Sequence, residues 1–412
     1  MPVVFQAFIV HWCLVSVIHK AWENNMDNEV AITGIGLFLP DINDPEALWQ
    51  AWCQGDSKLT RAHTGIITEF VPEAQLKGRI PARVGNKLDN FSKFALIASE
   101  RAMSDAKLPI DNLDKDKVGV FVGNVFGGWQ YTDRELRNLH CEGPRAVSPF
   151  QATAWFPAAA QGQISITHGF KGYSKTYMCD RSSSLHSISD AAYHIGQGHI
   201  DVAIAGGTEC INTDFVLAAL AQTSEYTGRG EFNPFSKQSN ELGFTEGAVF
   251  FVLESKRAAQ SRGATIYGYL GDSANATQPT DADKYTRAEQ PFIRNFKALG
   301  AQPDVILPDA CGLYDVDKAE ALAISELYPN SNVAVPKRIF GHGLGFEGAL
   351  DVACACLLLK HQSLPKGELE NAFTQLTAQS KNLKDNIDQI LINTASLGGA
   401  ISSLIIKKGT SL

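Results

Sequence analysis

Thiols and imidazoles are the side chains of this sequence that could act as nucleophiles, acid–base groups or metal ligands. Its eight cysteines are scattered, none belongs to a C-x-x-C pair, and no histidine stands at zinc-binding spacing from one. Cys354 and Cys356 lie in an apolar helical run, where buried thiols are common. The pattern predicts no metal and no cofactor, and it favours a reducing, cytoplasmic setting.

A second candidate for chemistry is the stretch MCDRSSSL (residues 178–185), where a predicted strand runs into a predicted helix. A thiol at a helix N-terminus has a lowered pKa and can act as a nucleophile. Cys179, however, stands two residues before Arg181, which we place at the tip of the turn. Residues i and i+2 of a strand are about 6.6 Å apart along the strand, so Cys179 should lie away from that tip. We expect Cys179 to be a small buried thiol inside the sheet. A displaced nucleophile is the alternative.

The elements that must position these residues follow from the hydrophobic pattern. Short apolar runs at residues 30–35, 118–122 and 202–205 are typical of buried strands. Between them, apolar residues recur at helical spacing, as in the run through Leu185, Ile188, Ala192 and Ile195. Strands that alternate with amphipathic helices predict an α/β layered fold.

The chain also shows a weak internal duplication. Each half contains a strand that enters a turn before a helix and a later Gly-Gly turn, at residues 206–207 and 398–399. No Pro- or Ser-rich linker separates the halves. We predict two pseudo-repeats packed as one unit, residues 26–255 and residues 256–412.

Composition excludes several classes of protein. With 412 residues, 44% hydrophobic and 19% charged, the chain can bury a large core and is neither disordered nor fibrous. The formal net charge of −8 and the lack of a basic run argue against a nucleic-acid partner.

The first 25 residues differ from the rest. Residues 3–18 are largely apolar, but Gln6 and His11 interrupt them, and the segment lacks a basic n-region and a cleavage site. It is also short for a membrane span. A second methionine, Met26, precedes ordinary globular sequence. We predict an upstream extension over residues 1–25, with a weak anchor as the alternative, and no membrane span.

Six sequence blocks, in order along residues 28–408, resemble the β-ketoacyl synthases of the thiolase fold. They are TGIG (33–36), SSSLHSI (182–188), DVAIAGGTE (201–209), FNPF (232–235), FTEG (244–247) and KRIFGH (337–342). The resemblance implies a thiolase-like α-β-α-β-α layered sandwich. In active members a cysteine at a strand-to-helix elbow accepts an acyl group, and two histidines assist decarboxylation of a malonyl unit.

The catalytic positions of that family are degenerate here. Arg181 stands in the nucleophile position, and a guanidinium is neither nucleophilic nor deprotonated near neutral pH. Asp309 occupies the position of the first histidine. The second histidine is retained as His342, with Lys337 five residues before it. The resemblance therefore implies a protein without catalytic residues of its own for condensation.

A narrower resemblance is to the chain length factor of type II polyketide synthases, the nucleophile-less partner of a ketosynthase. It is carried by FGGWQYTDREL (126–136), GP (143–144), VS (147–148), AWF (154–156) and QGQISI (161–166). In that family the first histidine position is aspartate, which Asp309 matches, and the cysteine position is usually glutamine. Arg181 departs from the pattern, which makes residual decarboxylation less expected and leaves a structural role intact.

Three residues match the positions that, in this family, point across the subunit interface into the ketosynthase tunnel: Trp129, Thr132 and Leu136. Their spacing of three and then four places them on one side of a helix. We predict that they gate chain length, with ordinary core or interface packing as the alternative.

The resemblance implies a non-catalytic subunit that forms a heterodimer with a ketosynthase and elongates a polyketide or polyene on an acyl carrier protein. The alternatives are a self-sufficient β-ketoacyl synthase that uses Cys179 and a malonyl decarboxylase. A composition richer in Lys than in Arg favours an aryl-polyene product over an aromatic polyketide.

Two physical expectations follow from these assignments. An unpaired buried arginine would cost several kcal/mol, so we predict an ion pair between Arg181 and Asp309, or failing that with Asp180 or a carboxylate of the partner. We also predict that the chain alone is poorly soluble, because an obligate interface leaves a large apolar face.

Overall fold

The structure is a computed structural model that describes residues 18–19, 29–236, 238–281, 284–365 and 386–409. Most of the predicted upstream extension, residues 1–25, lies outside the described residues. Within it, Ile18–His19 forms a two-residue strand that pairs antiparallel with Ser273 and Ala274. No helix among the described residues is both long and apolar enough to cross a membrane.

The strands are β1 (Ile18–His19), β2 (Val30–Phe38), β3 (Thr60–Arg61), β4 (Ile67–Glu69), β5 (Val118–Gly123), β6 (Lys175–Tyr177), β7 (Val202–Glu209), β8 (Gly243–Thr245), β9 (Gly247–Ser255), β10 (Gly268–Thr277), β11 (Val305–Leu307), β12 (Asn332–Val333), β13 (Gln389–Ala395) and β14 (Ala400–Lys407).

The helices are α1 (Pro45–Gln54), α2 (Glu73–Leu76), α3 (Ala82–Gly85), α4 (Asn90–Asp105), α5 (Trp129–Glu142), α6 (Gln151–Ala154), α7 (Ala159–His168), α8 (Ser183–Gly196), α9 (Asp214–Ala221), α10 (Lys256–Ser261), α11 (Glu289–Leu299), α12 (Tyr314–Leu327), α13 (Lys337–Phe340) and α14 (Glu347–His361).

The main sheet repeats one strand order in its two halves. Its order is β12-β11-β13-β14-β10-β2-β9-β7-β5-β6, and β1 pairs with β10. The two halves meet at the middle of the sheet, where β2 and β10 are adjacent. If the five strands of each half are numbered along the chain, both halves run outward from the middle in the order first, fifth, fourth, second, third. This topology confirms the predicted pseudo-repeats. The exact boundary at residue 255 stays a prediction.

Helices cover the sheet in the five layers expected of a thiolase-like sandwich. Helices α4 and α7 pack on the outer face of the first half, and α11 and α12 pack on the outer face of the second. Helices α8 and α14 lie between the two halves and contact strands of both. The predicted fold class is therefore confirmed.

Close approach between a helix and a strand explains two glycines of β2. A Cβ on Gly36 would lie 1.9 Å from the carbonyl oxygen of Ala98 in α4, and one on Gly34 would lie 2.3 Å from that of Ala102. The helix packs directly on the strand backbone at these positions, so only glycine fits.

The central helix α14 is buried on every side over Glu347–Leu359. Most of its residues are apolar, as expected of a helix inside a protein, and its two buried carboxylates, Glu347 and Asp351, pair with Lys337. Cys354 and Cys356 are fully buried, as predicted, and burial raises the pKa of both thiols.

Candidate functional site

The strand-to-helix elbow begins where the edge strand β6 ends at Tyr177. A single turn of 3-10 helix, Asp180–Ser182, then leads into α8. Asp180 has a φ of 50°, in the left-handed region that disfavours residues with a Cβ. Its carboxylate accepts a hydrogen bond from Leu397 N at 2.8 Å, which ties the elbow to the other half of the chain. The backbone turn therefore places Arg181 at the head of the buried helix.

Cys179 does not lie inside the sheet, and the prediction of a buried thiol is wrong. Pairing in β6 stops at Tyr177, so Cys179 leaves the sheet on the turn and is exposed at the surface. Desolvation by the surrounding chain is the main cause that raises the pKa of its thiol. A thiol with a raised pKa is mostly protonated at neutral pH and is a poor nucleophile.

Arg181 is fully buried, and its Nη1 lies 3.6 Å from Asp309 Oδ2. The predicted ion pair is confirmed. The guanidinium carbon also lies 4.6 Å from the centre of the Tyr285 ring, a cation–π contact. Burial disfavours the charged form, but Tyr285 and Asp309 together raise the pKa of Arg181 above its ordinary value.

Asp309 follows β11 and lies between two basic side chains. Its Oδ2 faces Arg181, and its Oδ1 lies 3.6 Å from His342 Nε2 while accepting a hydrogen bond from Ala395 N at 2.9 Å. Burial raises the pKa of this carboxyl, and the charges of Arg181 and Lys337 oppose the rise. The side chain fills the space between the arginine and the imidazole.

His342 is a neutral imidazole in this environment. Its Nδ1 accepts a hydrogen bond from Leu344 N at 2.9 Å, so the proton of the neutral ring resides on Nε2. Burial, assisted by the charge of Arg181, holds the pKa of His342 well below its ordinary value. The nearest carboxylate oxygen to Nε2 is Asp309 Oδ1 at 3.6 Å, which is too far for a hydrogen bond, so Nε2 has no hydrogen-bond partner among the described residues.

Lys337 is held by two carboxylates beneath the imidazole. Its Nζ lies 2.5 Å from Asp351 Oδ2 and 3.0 Å from Glu347 Oε1, and it donates to Pro308 O. Although burial acts in the opposite direction, these carboxylates raise the pKa of Lys337. Glu347 also accepts a hydrogen bond from Gly343 N. The lysine is therefore a fixed cation that orders the loop carrying His342.

The four residues predicted at the family's catalytic positions thus come together in the structure: Arg181, Asp309, Lys337 and His342. The gate residues lie apart from them on α5, where Trp129 stacks on Phe215 with ring centres 4.2 Å apart. Thr132 Oγ1 donates to Gly128 O and accepts from Gln151 Nε2. Leu136 is 36% exposed. Their shared helix face is as predicted, and their role in gating stays a prediction.

The sequence did not identify Tyr285 as a contributor to the site, and it offered Asp180 only as an alternative partner of Arg181. Tyr285, which covers the Arg181 guanidinium, comes from a loop more than 100 positions away along the chain. Asp180 becomes important through its backbone conformation, which no local sequence pattern signals. Tyr285 also helps to line an apolar cavity of about 280 Å³ beside the elbow, together with Val125, Phe126, Asp180, Ala219, Leu220, Thr223, Glu225, Leu242, Phe244, Leu344 and Leu397.

The described residues contain no group of three or more His, Cys, Asp or Glu side chains that could hold a metal ion. The elbow offers an arginine in place of a nucleophile and one neutral imidazole that faces a carboxylate. This arrangement can bind and orient neighbouring chain segments, but Arg181 cannot form an acyl-enzyme.

Comparison with known proteins identifies the family of this chain. Residues 27–259 match the N-terminal domain of beta-ketoacyl synthase, and residues 264–367 match its C-terminal domain. The tetracenomycin polyketide synthase ketoacyl synthase beta subunit of Streptomyces glaucescens is 28% identical over 92% of this chain and 98% of its own length. The 3-oxoacyl-[acyl-carrier-protein] synthase 2 of Staphylococcus aureus is 27% identical, over 93% and 99%.

Solved structures of ketosynthases are also similar to this chain. A type II polyketide synthase acyl-carrier protein in complex with its ketosynthase contains a chain that is 28% identical with a TM-score of 0.75, and the match covers 92% of this chain and 99% of that one. The ishigamide ketosynthase/chain length factor shares the fold, with a TM-score of 0.81, 20% identity and coverage of 93% and 99%.

Proposed function

The chain belongs to the β-ketoacyl synthase family, and within that family we propose that it is a chain length factor. In this role it forms a heterodimer with a catalytic ketosynthase and provides no nucleophile of its own. The complex carries out decarboxylative Claisen elongation of an acyl chain bound to an acyl carrier protein.

One observation carries the proposal: Arg181 occupies the elbow position from which a cysteine would attack an acyl thioester. The guanidinium is buried and paired with Asp309, so an ion pair occupies the elbow position, and the apolar cavity lined by Tyr285 lies beside it. The remaining imidazole, His342, is buried, and its Nε2 lies 3.6 Å from that same carboxylate. Loss of the nucleophile, together with a buried ion pair in its position, supports a role in assembly and shape rather than in acyl transfer.

Two features of the chain's surface support the proposal of a large interface with another protein. Strand β6 is the edge of the main sheet, and an unpaired strand edge can hydrogen-bond to another chain. Large apolar side chains are exposed on the segments around it and on α7, namely Trp155 (45%), Phe156 (52%), Ile166 (74%) and Met178 (55%). An apolar patch of this kind is typical of protein–protein contacts. The ketosynthase is the partner that we assign to it.

The gate belongs to the same proposal. Trp129, Thr132 and Leu136 lie on one face of α5, and Leu136 is exposed in the isolated chain. We assign this face to the end of the ketosynthase tunnel, where a bulky side chain stops the growing acyl chain by steric overlap. The Trp129–Phe215 stack would hold the gate in position.

The proposal extends to the substrate and the setting. The beta subunit from Streptomyces glaucescens is named for a polyketide synthase, and one solved relative is a ketosynthase in complex with its acyl-carrier protein. By analogy, we assign carrier-bound malonyl and acyl units to the heterodimer and place it in the cytoplasm. A composition with more Lys than Arg favours an aryl-polyene product.

Reconstitution tests the proposal. The chain and its ketosynthase are purified separately and together, then supplied with malonyl-loaded acyl carrier protein, and chain extension is followed by mass spectrometry. We expect extension by the complex only, and no acyl adduct on this chain. As a matched control, Arg181→Lys keeps a buried cation without creating a nucleophile, and its complex should retain extension.

The exposure of Cys179 favours one alternative, a self-sufficient β-ketoacyl synthase with a displaced nucleophile. Extension by the isolated chain that disappears in Cys179→Ala would support this alternative and contradict the chain length factor. Extension by the heterodimer that is unchanged in Cys179→Ala would exclude it.

A further inference from the structure

A second cavity, of about 440 Å³, lies away from the elbow, where the segment before α2, the start of α4, the start of α5 and the loop after β7 meet. None of its residues contributes to the Arg181–Asp309 site. Its lining is Val71, Glu73, Leu76, Asn90, Lys93, Phe94, Gln130, Asn212 and Glu246. It thus combines three side-chain amides, one amine, two carboxylates and an apolar wall.

Two buried carboxylates hold the walls of this cavity in place. Asp89 caps α4 by accepting from Phe91 N, and it also accepts from Tyr131 N at 2.6 Å, which joins α4 to α5. Glu246 accepts from the backbone N–H groups of Val71, Ile211 and Asn212, which joins two further segments. The cavity is therefore a fixed feature of the fold and not a gap between loose loops.

Lys93 carries the one ammonium group in the lining of this cavity. Its Nζ donates to Asn90 Oδ1 at 2.9 Å, and among the residues that the structure describes it forms no ion pair. Partial burial lowers the pKa of its ammonium group, and the charge of Asp89 opposes that shift. An amine withdrawn from water without a carboxylate partner gains most from a bound anion.

The carboxylates of the lining do not compete for this role. Both oxygens of Glu246 already accept backbone N–H groups, and burial raises the pKa of Glu246 to about 7. Glu73 is exposed and faces solvent. A cationic ligand would therefore find no free buried carboxylate, whereas an anionic ligand would find an ammonium group that forms no direct ion pair among the described residues.

We propose that this cavity binds a small organic carboxylate with an apolar body. The carboxylate pairs with Lys93, and the amides of Gln130 and Asn212 donate hydrogen bonds to it. The apolar body lies against Val71, Leu76 and Phe94. A site of this volume, with an apolar wall and a few convergent polar groups, has the dimensions of a small-molecule pocket. The proposal does not depend on the function of the elbow.

Calorimetric titration with a matched series of probes tests the site. Hexanoate, hexan-1-ol and hexylammonium share one apolar body and differ in charge, and each is titrated into the full-length protein in its stable assembly. We expect saturable binding of hexanoate, with hexan-1-ol and hexylammonium at least tenfold weaker. Lys93→Gln should weaken hexanoate at least tenfold. The control Lys87→Gln removes an exposed cation that lies over the Phe150 ring, and it should leave binding unchanged.

Three results would overturn the proposal: no saturable binding of hexanoate, equal binding of all three probes, or unchanged affinity in a folded Lys93→Gln protein. If Lys93→Gln does not fold, Gln130→Leu provides a second variant, because it removes an amide from the opposite wall and should weaken hexanoate more than hexan-1-ol. Equal losses for both probes would then contradict the assigned contact.

Discussion

Arg181 and Asp309 form a buried ion pair across the two halves of the chain, with Nη1 and Oδ2 3.6 Å apart and each side chain 1% exposed. The pair joins the head of α8 to the end of β11, the positions where the pseudo-repeats meet. Because each charge is withdrawn from water, each depends on the other for compensation.

Separate removal of either charge should destabilise the protein strongly. Arg181→Met leaves the Asp309 carboxylate without a compensating charge, and Asp309→Asn does the same to the Arg181 guanidinium. Each substitution should lower the unfolding free energy by about 3–5 kcal/mol. Asparagine at 309 can still accept from Ala395 N, so the loss reports the charge. The double variant should lose less than the sum, by about 0.5–3 kcal/mol, in urea unfolding. Strict additivity would show that the two residues do not interact.

Stability should fall as the pH rises from about 5 to 8. Burial raises the pKa of Glu209 to about 8 and that of Asp317 to about 7, against about 4 for both in the unfolded chain. Between these values the folded state binds more protons than the unfolded state, so the unfolding free energy decreases with pH, by at most about 1.4 kcal/mol per unit for each group. The contribution is fully present below pH 4 and lost above pH 8.

Urea midpoints at pH 5, 6, 7 and 8 measure this dependence. The Asp317→Asn protein should show a shallower decline than the wild type between pH 5 and 7, since its amide does not titrate. A flat or rising stability over this range would contradict the assigned protonation of these carboxylates.

Trp129→Ala should lengthen the product of the heterodimer. Removal of the indole opens space at the end of the tunnel, where overpacking by one methylene costs about 1–3 kcal/mol, enough to change the partition between chain lengths about 5- to 150-fold. Phe215→Ala should act in the same direction, because it removes the ring that holds the indole. Mass spectrometry of released products measures the effect.

Asn138→Ala is the matched control for the gate. Asn138 lies on α5 nine positions from Trp129, on the opposite side of the helix. The Asn138→Ala complex should therefore give the same product distribution as the wild type. Unchanged products from folded Trp129→Ala, Thr132→Ala and Leu136→Ala complexes would assign these residues to packing and place the gate elsewhere.

The isolated chain should aggregate, and co-expression with the ketosynthase should yield a stable heterodimer with an interface of about 2,000–5,000 Å². Phe156→Ser and Ile166→Ser replace two exposed apolar side chains, so they should improve solubility of the chain alone and weaken the heterodimer. Light scattering coupled to gel filtration measures both. A well-behaved wild-type monomer at micromolar concentration would count against the assigned interface.

The sequence alone determined the layered α/β architecture, the two pseudo-repeats and four residues of the site, namely Arg181, Asp309, Lys337 and His342. Periodicity and glycine placement depend on neighbouring residues, so strands such as Val30–Phe38 and helices such as Asn90–Asp105 are visible locally. The complementary identities of Arg181 and Asp309 were enough to predict their pairing, because an unpaired buried charge is too costly.

Tertiary structure alone decided the exposure of Cys179, the cover that Tyr285 places over Arg181, and the cavity around Lys93. The sequence does not show that pairing in β6 ends at Tyr177, and this end removes Cys179 from the sheet. Tyr285 lies 104 positions from Arg181, and the cavity combines residues from five separate segments between positions 71 and 246. The physical reason is that burial and partner choice depend on which distant surfaces meet, whereas helix and strand patterns depend on neighbours along the chain.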